Sequence, residues 1–329
     1  MCRCEQRSLL HTGLTDRIFR VAPGRWSMYE CKGCGSAYLD PRPDRATIGL
    51  AYANYYTHSS QGGVTVRRIG AIRTLLHDWL NGYLNCVYGL RRRPAKPLGR
   101  LLIPLLVPLR AAADAECRHL PRPPAGGGAL LDVGCGNGQF LSMAREMGWN
   151  AEGVDFDECA VNAARSAGLQ VRLGGIELFD GERERYDVIT LSHVIEHIHD
   201  PIDLLGRIHR LLKPGGILWL ETPNLSSAGH RLYGPNWRGL EPPRHLVLFN
   251  ATSLCSVLYK AGFSHISQKF PGLVLYSVFA ASEAIERGGD VLTASRRGRP
   301  KMSDVLVEAY EMIVPWRREF LTYLARKEK

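Results

Sequence analysis

A glycine-rich turn is the first stretch of the sequence that could hold a ligand. Leu130-Leu131-Asp132-Val133 is typical of a buried strand, and Gly134-Cys135-Gly136-Asn137-Gly138 follows it directly. Glycines let the backbone turn sharply and approach a ligand, and a helix that starts there offers free N–H groups. A dinucleotide fingerprint, G-x-G-x-x-G, would need glycine where Gln139 stands. The pattern therefore predicts a bound ligand but departs from that fingerprint.

A carboxylate at the end of the next predicted strand indicates which class of ligand the turn binds. Asp155 ends the next predicted strand, and a carboxylate there can accept both hydroxyls of a ribose, as in dinucleotide-binding sheets. The alternative role for Asp155 is to form a helix-capping turn. With the glycine turn upstream, we expect a ribose.

Three imidazoles and one carboxylate form a second candidate group. His193, Glu196 and His197 are spaced i, i+3 and i+4, so on a helix they would share one face. The string H-x-x-E-H is also the inverted zinc-protease motif, a reading we reject because it follows a sheet strand, where α/β active sites lie. A neutral imidazole, with a pKa near ~6.5, can take a proton from an acceptor. We predict His193, His197 and His245 as candidate bases; alternatively, Glu196 and His197 only line the pocket.

Four cysteines near the N-terminus have metal-ligand spacing. Cys2-x-Cys4 and Cys31-x-x-Cys34 would supply four thiolates to tetrahedral zinc in a module too small for its own core. The first pair is tighter than the usual C-x-x-C, so a degenerate site is the alternative. The other five cysteines have no ligand spacing and are expected in the core or in turns: Cys86, Cys117, Cys135, Cys159 and Cys255.

Four regions must position these residues. Residues 1–45 are predicted to be a zinc-ribbon-like β module, 46–125 a helical region and linker, 126–283 the α/β domain, and 284–329 a basic helical tail. In the α/β domain we predict strands at 129–133, 151–154, 186–191, 217–220, 266–270 and 273–279, with helices between them. Residues 221–248 are predicted to be a long ordered loop that contacts a substrate.

Composition and charge limit the class of protein. With 45% hydrophobic and 22% charged residues the chain is neither disordered nor fibrous. Lys plus Arg exceeds Asp plus Glu by 42 to 32, and this net charge of +10 suits anionic partners. The odd count of nine cysteines and a start without an apolar signal predict a cytoplasmic protein. Oligomeric state cannot be predicted.

The most apolar segment, residues 98–109, is too short to span a membrane, which takes about 20 apolar residues. Its prolines, which break a long amphipathic helix, favour a buried segment between domains. Peripheral contact with an anionic membrane is the alternative, because Arg91, Arg92, Arg93, Lys96 and Arg110 surround the segment.

Over residues 128–279 the chain resembles the class I S-adenosylmethionine-dependent methyltransferases. The resemblance implies an α/β, Rossmann-like sheet with helices on both faces and S-adenosylmethionine as cofactor. It also implies that the cofactor's amino-acid part lies at the glycine turn and its ribose at the acid. The residues that it assigns to the cofactor are Asp132, Gly134, Gly136, Gly138, Asp155, Glu177, Ser192 and His193.

A closer resemblance, carried by 192–197 and by Leu211-Leu212-Lys213-Pro214-Gly215-Gly216, is to the group that includes ubiquinone-pathway O-methyltransferases. Small-RNA 2′-O-methyltransferases in this group carry E-x-x-E-H and a later His and bind a divalent metal. The chain matches at Glu196, His197 and His245, so the resemblance implies a divalent ion there, and it departs from the motif by having His193 in place of the first Glu.

The function expected from these resemblances is methylation of a small molecule or glycan precursor, such as a sugar nucleotide or lipid-linked saccharide. Similar ribbons precede this type of enzyme in bacterial sugar and cell-surface polymer pathways. O-methylation and C-methylation both remain open, since each needs a base. The alternatives are an RNA methyltransferase, suggested by the charge and the arginines at 91–93 and 296–299, and a non-catalytic binding protein. No RNA-stacking motif accompanies those arginines, so nucleic acid is the less favoured partner.

Overall fold

The computed structural model describes residue 2 and residues 4–52, 71–297 and 301–329, apart from the side chains of 71–73 and 296–297. Residues 53–70 of the predicted helical region lie outside this description. The described chain forms two compact units. The first takes in the described residues of 1–55, 191–209 and 220–328, and the second those of 56–190, 210–219 and 329.

Strands and helices are numbered along the chain. The strands are β1 Arg7–Leu14, β2 Trp26–Cys31, β3 Ala37–Asp40, β4 Ala129–Val133, β5 Asn150–Asp155, β6 Gln170–Leu173, β7 Tyr186–Ser192, β8 Leu212–Pro223, β9 Val247–Leu248, β10 Ser264–Lys269 and β11 Phe320–Arg326. The α-helices are α1 Ala71–Tyr88, α2 Gly99–Leu102, α3 Val107–Glu116, α4 Gln139–Glu146, α5 Glu158–Ser166, α6 Pro201–Leu211, α7 Ala228–Tyr233, α8 Ala251–Lys260, α9 Leu275–Arg287, α10 Val291–Arg297 and α11 Met302–Ile313.

The second unit contains a parallel α/β sheet of the Rossmann-like type that the sequence predicts. β4 pairs in parallel with β5, from Ala129 opposite Asn150 to Val133 opposite Val154, and β5 pairs in parallel with β6. The strand order there is β8-β7-β4-β5-β6. Helices α4 and α5 make the crossovers, as parallel strands require. The carboxyl ends of β4 and β5 consequently meet at one edge of the sheet.

The first unit contains a four-stranded sheet in the order β1-β2-β3-β9. Strands β1 to β3 are antiparallel, and β3 pairs with β9, where Ala37 lies opposite Leu248. Met28 and Leu39 from this sheet share a hydrophobic core with Trp237 and Val278. The N-terminal module is thus not held by metal ligands alone, because later parts of the chain complete its sheet and core.

In the C-terminal region one predicted element is wrong and another is incomplete. Residues 273–279, predicted as a strand, begin helix α9, since the apolar positions Leu275, Val278, Phe279, Ala281 and Ile285 recur at helical spacing and are buried. The tail predicted to be helical contains α10 and α11 but ends in β11. Within the first unit this strand pairs with β10 in the antiparallel sense, with Lys269 opposite Thr322.

Residues 98–109 are not the buried inter-domain segment that their prolines favour. Within this stretch the buried residues are Gly99 and Ile103, and five large aliphatic side chains are exposed. A search of the described helices finds none that is long and apolar enough to cross a membrane.

Candidate functional site

The glycine turn has the backbone conformation that the sequence predicts. Gly134, Gly136 and Gly138 have φ angles of 73°, 52° and 78°, in the left-handed region that favours glycine. A Cβ on Gly138 would lie 2.3 Å from the Leu169 side chain, so packing requires glycine there. A Cβ on Gly136 would meet nothing within 4 Å. Gly136 therefore faces open space in which a ligand could lie.

Asp155 is joined to this turn by a hydrogen bond. Its Oδ2 accepts the Gly136 N–H at 2.7 Å and its Oδ1 accepts the Asp157 N–H at 2.9 Å. Burial raises the pKa of Asp155 despite these two N–H donors. Helix α5 is capped by Asp157, which accepts from the N–H groups of Cys159 and Ala160. The capping role considered for Asp155 thus belongs to Asp157.

Asp132 is buried at the end of β4, where its Oδ1 accepts hydrogen bonds from Arg118 Nη1 at 2.6 Å and from Thr190 Oγ1 at 2.7 Å. Its Oδ2 has no hydrogen-bond partner among the described residues. The Arg118 guanidinium also stacks over the Phe140 ring, with Cζ 3.6 Å from the ring centre. No local pattern singles out Arg118, which stands at the start of the proline-rich linker.

The loop that contains Glu177 carries an aromatic neighbour that the sequence analysis missed. Glu177 Oε1 accepts the Gly175 N–H at 2.8 Å. A Cβ on Gly175 would lie 2.5 Å from Phe156 Cζ, so this ring lies against the loop. Phe156 is 72% exposed. A large apolar side chain immediately after the ribose acid was the available signal.

The histidine cluster lies in the first unit, but not on one α-helix. Ile195–His197 is a 3₁₀ helix, and His193 precedes it with a φ of 53°. His193 Nδ1 is 3.3 Å from Glu196 Oε1, and its Nε2 is 3.6 Å from Glu221 Oε1. Burial lowers the pKa of His193, but these two carboxylates outweigh it and raise the value to about 10. The two carboxylates thus favour the protonated form of His193, which counts against its predicted role as a base.

Glu196 is fully buried and ionised. Its Oε2 accepts the Thr222 hydroxyl at 2.9 Å. Burial alone would raise its pKa, yet the hydrogen bond from His193 and the neighbouring imidazoles lower it to about 2. One ligand atom each from Glu196, His197 and His245 lies within 4.8 Å of the other two. The structure thus brings together the three residues predicted to bind a divalent ion.

His245 presents a neutral imidazole. Its Nδ1 lies 2.7 Å from the Gly239 carbonyl oxygen, which accepts the Nδ1 proton and leaves Nε2 with its lone pair. Burial lowers the pKa of His245 to about 4. The His197 ring lies 4.8 Å from it, and His197 Nδ1 is 3.0 Å from both the Arg244 carbonyl oxygen and Tyr52 Oη. Both rings can therefore offer Nε2 to a proton or a metal.

A buried ion-pair group next to His245 was also missed. Arg244 is fully buried and donates to Asp16 at 2.6 Å, to Glu241 at 3.0 Å and to the Ala51 carbonyl oxygen at 2.9 Å. Nothing local in the sequence connects Asp16 with Arg244. This group fixes the backbone from which His245 projects.

Three of the four predicted zinc ligands form a cluster. Ligand atoms of Cys2, Cys31 and Cys34 lie within 4.8 Å of one another, with Cys2 Sγ 3.3 Å from Cys31 Sγ. Burial raises the pKa of Cys31, but N–H groups of Cys34 and Gly33 and the Cys2 thiol lower it to about 7. Cys4 is exposed and outside this three-residue cluster, although a Cβ on Gly33 would lie 3.0 Å from its Sγ.

Comparison with known proteins gives these features a family. The model of a methyltransferase-domain family matches residues 109–268. The chain is 33% identical over 124 residues to a ubiquinone biosynthesis O-methyltransferase of Hahella chejuensis, covering 36% of this chain and 50% of that protein. A protein of the same name from Coxiella burnetii is 33% identical over 101 residues, covering 29% and 43%. The chain thus spans about half the length of these relatives or less.

Among solved structures, the chain is similar to an S-adenosylmethionine-dependent methyltransferase of Mesorhizobium loti. The TM-score is 0.45 at 19% identity, over 66% of this chain and 98% of that one. The family match and the relatives thus indicate a methyltransferase domain at residues 109–268.

Proposed function

We propose that the whole chain transfers a methyl group from S-adenosylmethionine to a small molecule or glycan precursor. The observation that carries this proposal is the open face of Gly136 beside Asp155, at the adjoining carboxyl ends of two parallel strands. Ligands of open α/β sheets bind at that edge. An open position at that edge suits a turn that binds an adenosyl group better than a turn with a purely structural role.

For the cofactor, the glycine turn would receive the amino-acid part and Asp155 the ribose hydroxyls. The free Oδ2 of Asp132 is a further acceptor, although its Oδ1 is occupied by Arg118 and Thr190. Glu177 and the exposed Phe156 ring would contact the adenine, the ring by stacking. We also propose that Ser192 and His193, at the end of β7, contact the cofactor, as the resemblance implies.

For the acceptor, the chemistry requires the nucleophile to lie in line with the sulfonium methyl in a dry site, which can supply about 7 to 11 kcal/mol through positioning. A hydroxyl acceptor must also lose its proton. His197 and His245 are the candidate bases, because each can present an unprotonated Nε2. Protonated His193 is better suited to stabilise negative charge on the acceptor than to create it.

The same two nitrogens and Glu196 also fit a divalent metal ion. Two imidazoles whose Nδ1 lies against backbone oxygens, together with the buried Glu196 carboxylate, whose Oε1 lies 3.3 Å from His193 Nδ1, form a suitable ligand set. When bound, a divalent ion would act as a Lewis acid toward the acceptor oxygen. Thr222 would orient Glu196, and the Gly239 carbonyl would orient His245.

In the N-terminal module we propose a structural zinc ion held by Cys2, Cys31 and Cys34, with Cys4 as the fourth ligand. The lowered pKa of Cys31 supports a thiolate there. The Gly35 N–H donates to the Cys31 carbonyl oxygen at 2.9 Å, which closes the turn between two of the ligands.

The identity of the acceptor is the finer part of the proposal. The names of the curated relatives support O-methylation of a small molecule, but the match covers about half of each relative or less. The test incubates the full chain with S-adenosylmethionine and panels of sugar nucleotides, lipid-linked saccharides, phenolic rings and RNA, and measures S-adenosylhomocysteine and product mass. We expect turnover with a small acceptor. Methylated RNA alone, or cofactor binding without turnover on any panel, would contradict the proposal.

A further inference from the structure

The segment around α2 and the start of α3 exposes an unusual number of large aliphatic side chains. Exposed fractions are 51% for Leu98, 59% for Leu101, 77% for Leu105, 39% for Leu106 and 48% for Val107. These five side chains, which we call the leucine ridge, occur within ten residues. Several large apolar side chains exposed so close together in the chain are typical of an interaction site.

Cationic residues flank the leucine ridge in the sequence. No aspartate or glutamate occurs between Asp78 and Asp114, whereas the same stretch contains Arg91, Arg92, Arg93, Lys96, Arg100 and Arg110. Arg92 pairs with Glu116, with Nη2 2.6 Å from Oε1. The other five cations are exposed. A cationic surface with an apolar centre complements an anionic lipid surface.

The ridge is held firmly on its own unit. A Cβ on Gly99 would lie 1.9 Å from the Trp79 carbonyl oxygen, which shows how closely α2 packs on α1. Ile103 is completely buried beneath the ridge. The Lys96 N–H donates to the Asp78 carbonyl oxygen at 2.9 Å, and Asn81 Nδ2 donates to that of Pro94 at 2.8 Å. The exposed apolar side chains thus project from a segment whose backbone is packed and hydrogen-bonded.

We propose that the leucine ridge and its cations dock the protein on an anionic membrane surface. The aliphatic side chains enter the boundary between headgroups and acyl chains, while the five exposed cations lie against lipid phosphates. The alternatives fit less well. Residues 89–113 contain no aromatic side chain on which a nucleic-acid base could stack. A second copy of the ridge would bring like charges together.

This docking goes beyond the proposed methyl transfer, and vesicle binding is measured without turnover. The full chain is mixed with vesicles of phosphatidylcholine alone or with added phosphatidylglycerol, and the bound fraction is measured by flotation. We expect binding to the anionic vesicles that weakens between about 0.1 M and 0.5 M salt. Leu101→Glu with Leu105→Glu should lower the affinity by about tenfold or more, because both side chains leave the apolar boundary.

Matched variants distinguish binding through the leucine ridge from nonspecific apolar adsorption and from the effect of net charge. Leu306→Glu with Ile313→Glu alters an equally exposed apolar face on α11, at 66% and 80% exposure, and should leave vesicle binding unchanged. Arg93→Gln, Lys96→Gln and Arg100→Gln together should weaken binding by about tenfold or more. Arg25→Gln, Arg231→Gln and Lys260→Gln, which remove the same net charge elsewhere, should not.

Calorimetric binding of S-adenosylmethionine reports folding of each variant. The proposal would be overturned if the unaltered chain did not bind anionic vesicles, or if the ridge and control variants lost equal affinity. It would also be overturned if RNA that carries the same total negative charge as the vesicles released the bound protein. Self-association that the ridge variants abolish, seen by sedimentation without vesicles, would assign the ridge to a second copy instead.

Discussion

The backbone N–H of Gly136 donates a hydrogen bond to Asp155 Oδ2 at 2.7 Å. This bond joins the turn after β4 to the last residue of β5. Because parallel strands end at the same edge of the sheet, two residues that are distant along the chain become neighbours.

Gly136→Arg should abolish S-adenosylmethionine binding. The side chain would occupy the open space beside the turn, and the φ of 52° adds strain of about 1 to 3 kcal/mol. We expect calorimetry to show an affinity loss above about 100-fold, or about 2.7 kcal/mol. Gly168→Arg is the matched control, because Gly168 also has a positive φ, 75°, and open space. Equal losses in both variants would remove the turn from the cofactor site.

Asp155→Asn should weaken cofactor binding by about 10- to 100-fold, the loss expected when a hydrogen bond to a charged group becomes neutral. The amide oxygen can still accept the Gly136 N–H and only the hydrogen bond from the Asp157 N–H is lost, so the fold should persist. Asp157→Asn is the control, since asparagine caps helices as well as aspartate does and should leave affinity unchanged. Calorimetric titration checks both. Unaltered affinity in Asp155→Asn would exclude the proposed ribose contact.

Removal of divalent ions should stop methyl transfer if Glu196, His197 and His245 bind one. Turnover should fall after chelation and return on addition of Mg²⁺ or Mn²⁺, while cofactor affinity stays constant. Glu196→Gln, His197→Ala and His245→Ala should each weaken Mn²⁺ binding measured by electron paramagnetic resonance. His265→Ala, an exposed histidine elsewhere, should not. Full turnover after chelation would restrict His197 and His245 to the base role.

Cys31→Ser should lower the zinc content, measured by plasma mass spectrometry, from about one ion per chain to none. It should also lower the thermal midpoint, since a structural ion contributes binding energy to folding. Cys86→Ser, which alters an exposed cysteine outside the cluster, should retain both properties. Zinc-free wild-type protein purified without chelator would disprove the site.

Stability should fall as the pH rises from about 5 to about 9. Burial raises the pKa of Glu311 from 4.5 to about 9, with the neighbouring Glu319 adding to the rise. In this window the folded state binds more protons than the unfolded state, so the free energy of unfolding decreases as the pH rises. The size of the pKa shift corresponds to a decrease on the order of a few kcal/mol.

Glu311→Gln should flatten this dependence, because the amide stays neutral. Chemical denaturation at pH 5, 7 and 9 measures it, with Glu5→Gln, an exposed acid, as the control. If Glu311→Gln keeps the wild-type slope, Glu311 is not the buried acid responsible.

Much of the α/β core could be predicted because its signals are local. The strand 129–133 is predicted with the bounds that the structure shows, and the glycine turn follows it as expected. The C-terminal region could not be predicted in this way. Residues 275–287 contain β-branched and aromatic side chains typical of strands, but packing of one face decides for a helix. Nothing local places β11 in the sheet, because strand pairing depends on distant partners.

The candidate site likewise has features that depend on local sequence and features that depend on tertiary contacts. The sequence by itself determined the glycine turn, Asp155, the H-x-x-E-H string and the Cys31-x-x-Cys34 pair, since each depends on residues close together in the chain. Only the tertiary structure decided that His245 lies within ligand distance of Glu196 and His197, and that Glu221 faces His193. It also decided that Arg244 pairs with Asp16, 228 positions away. The physical reason is that buried charges require partners, and folding supplies them from whichever distant segment packs alongside.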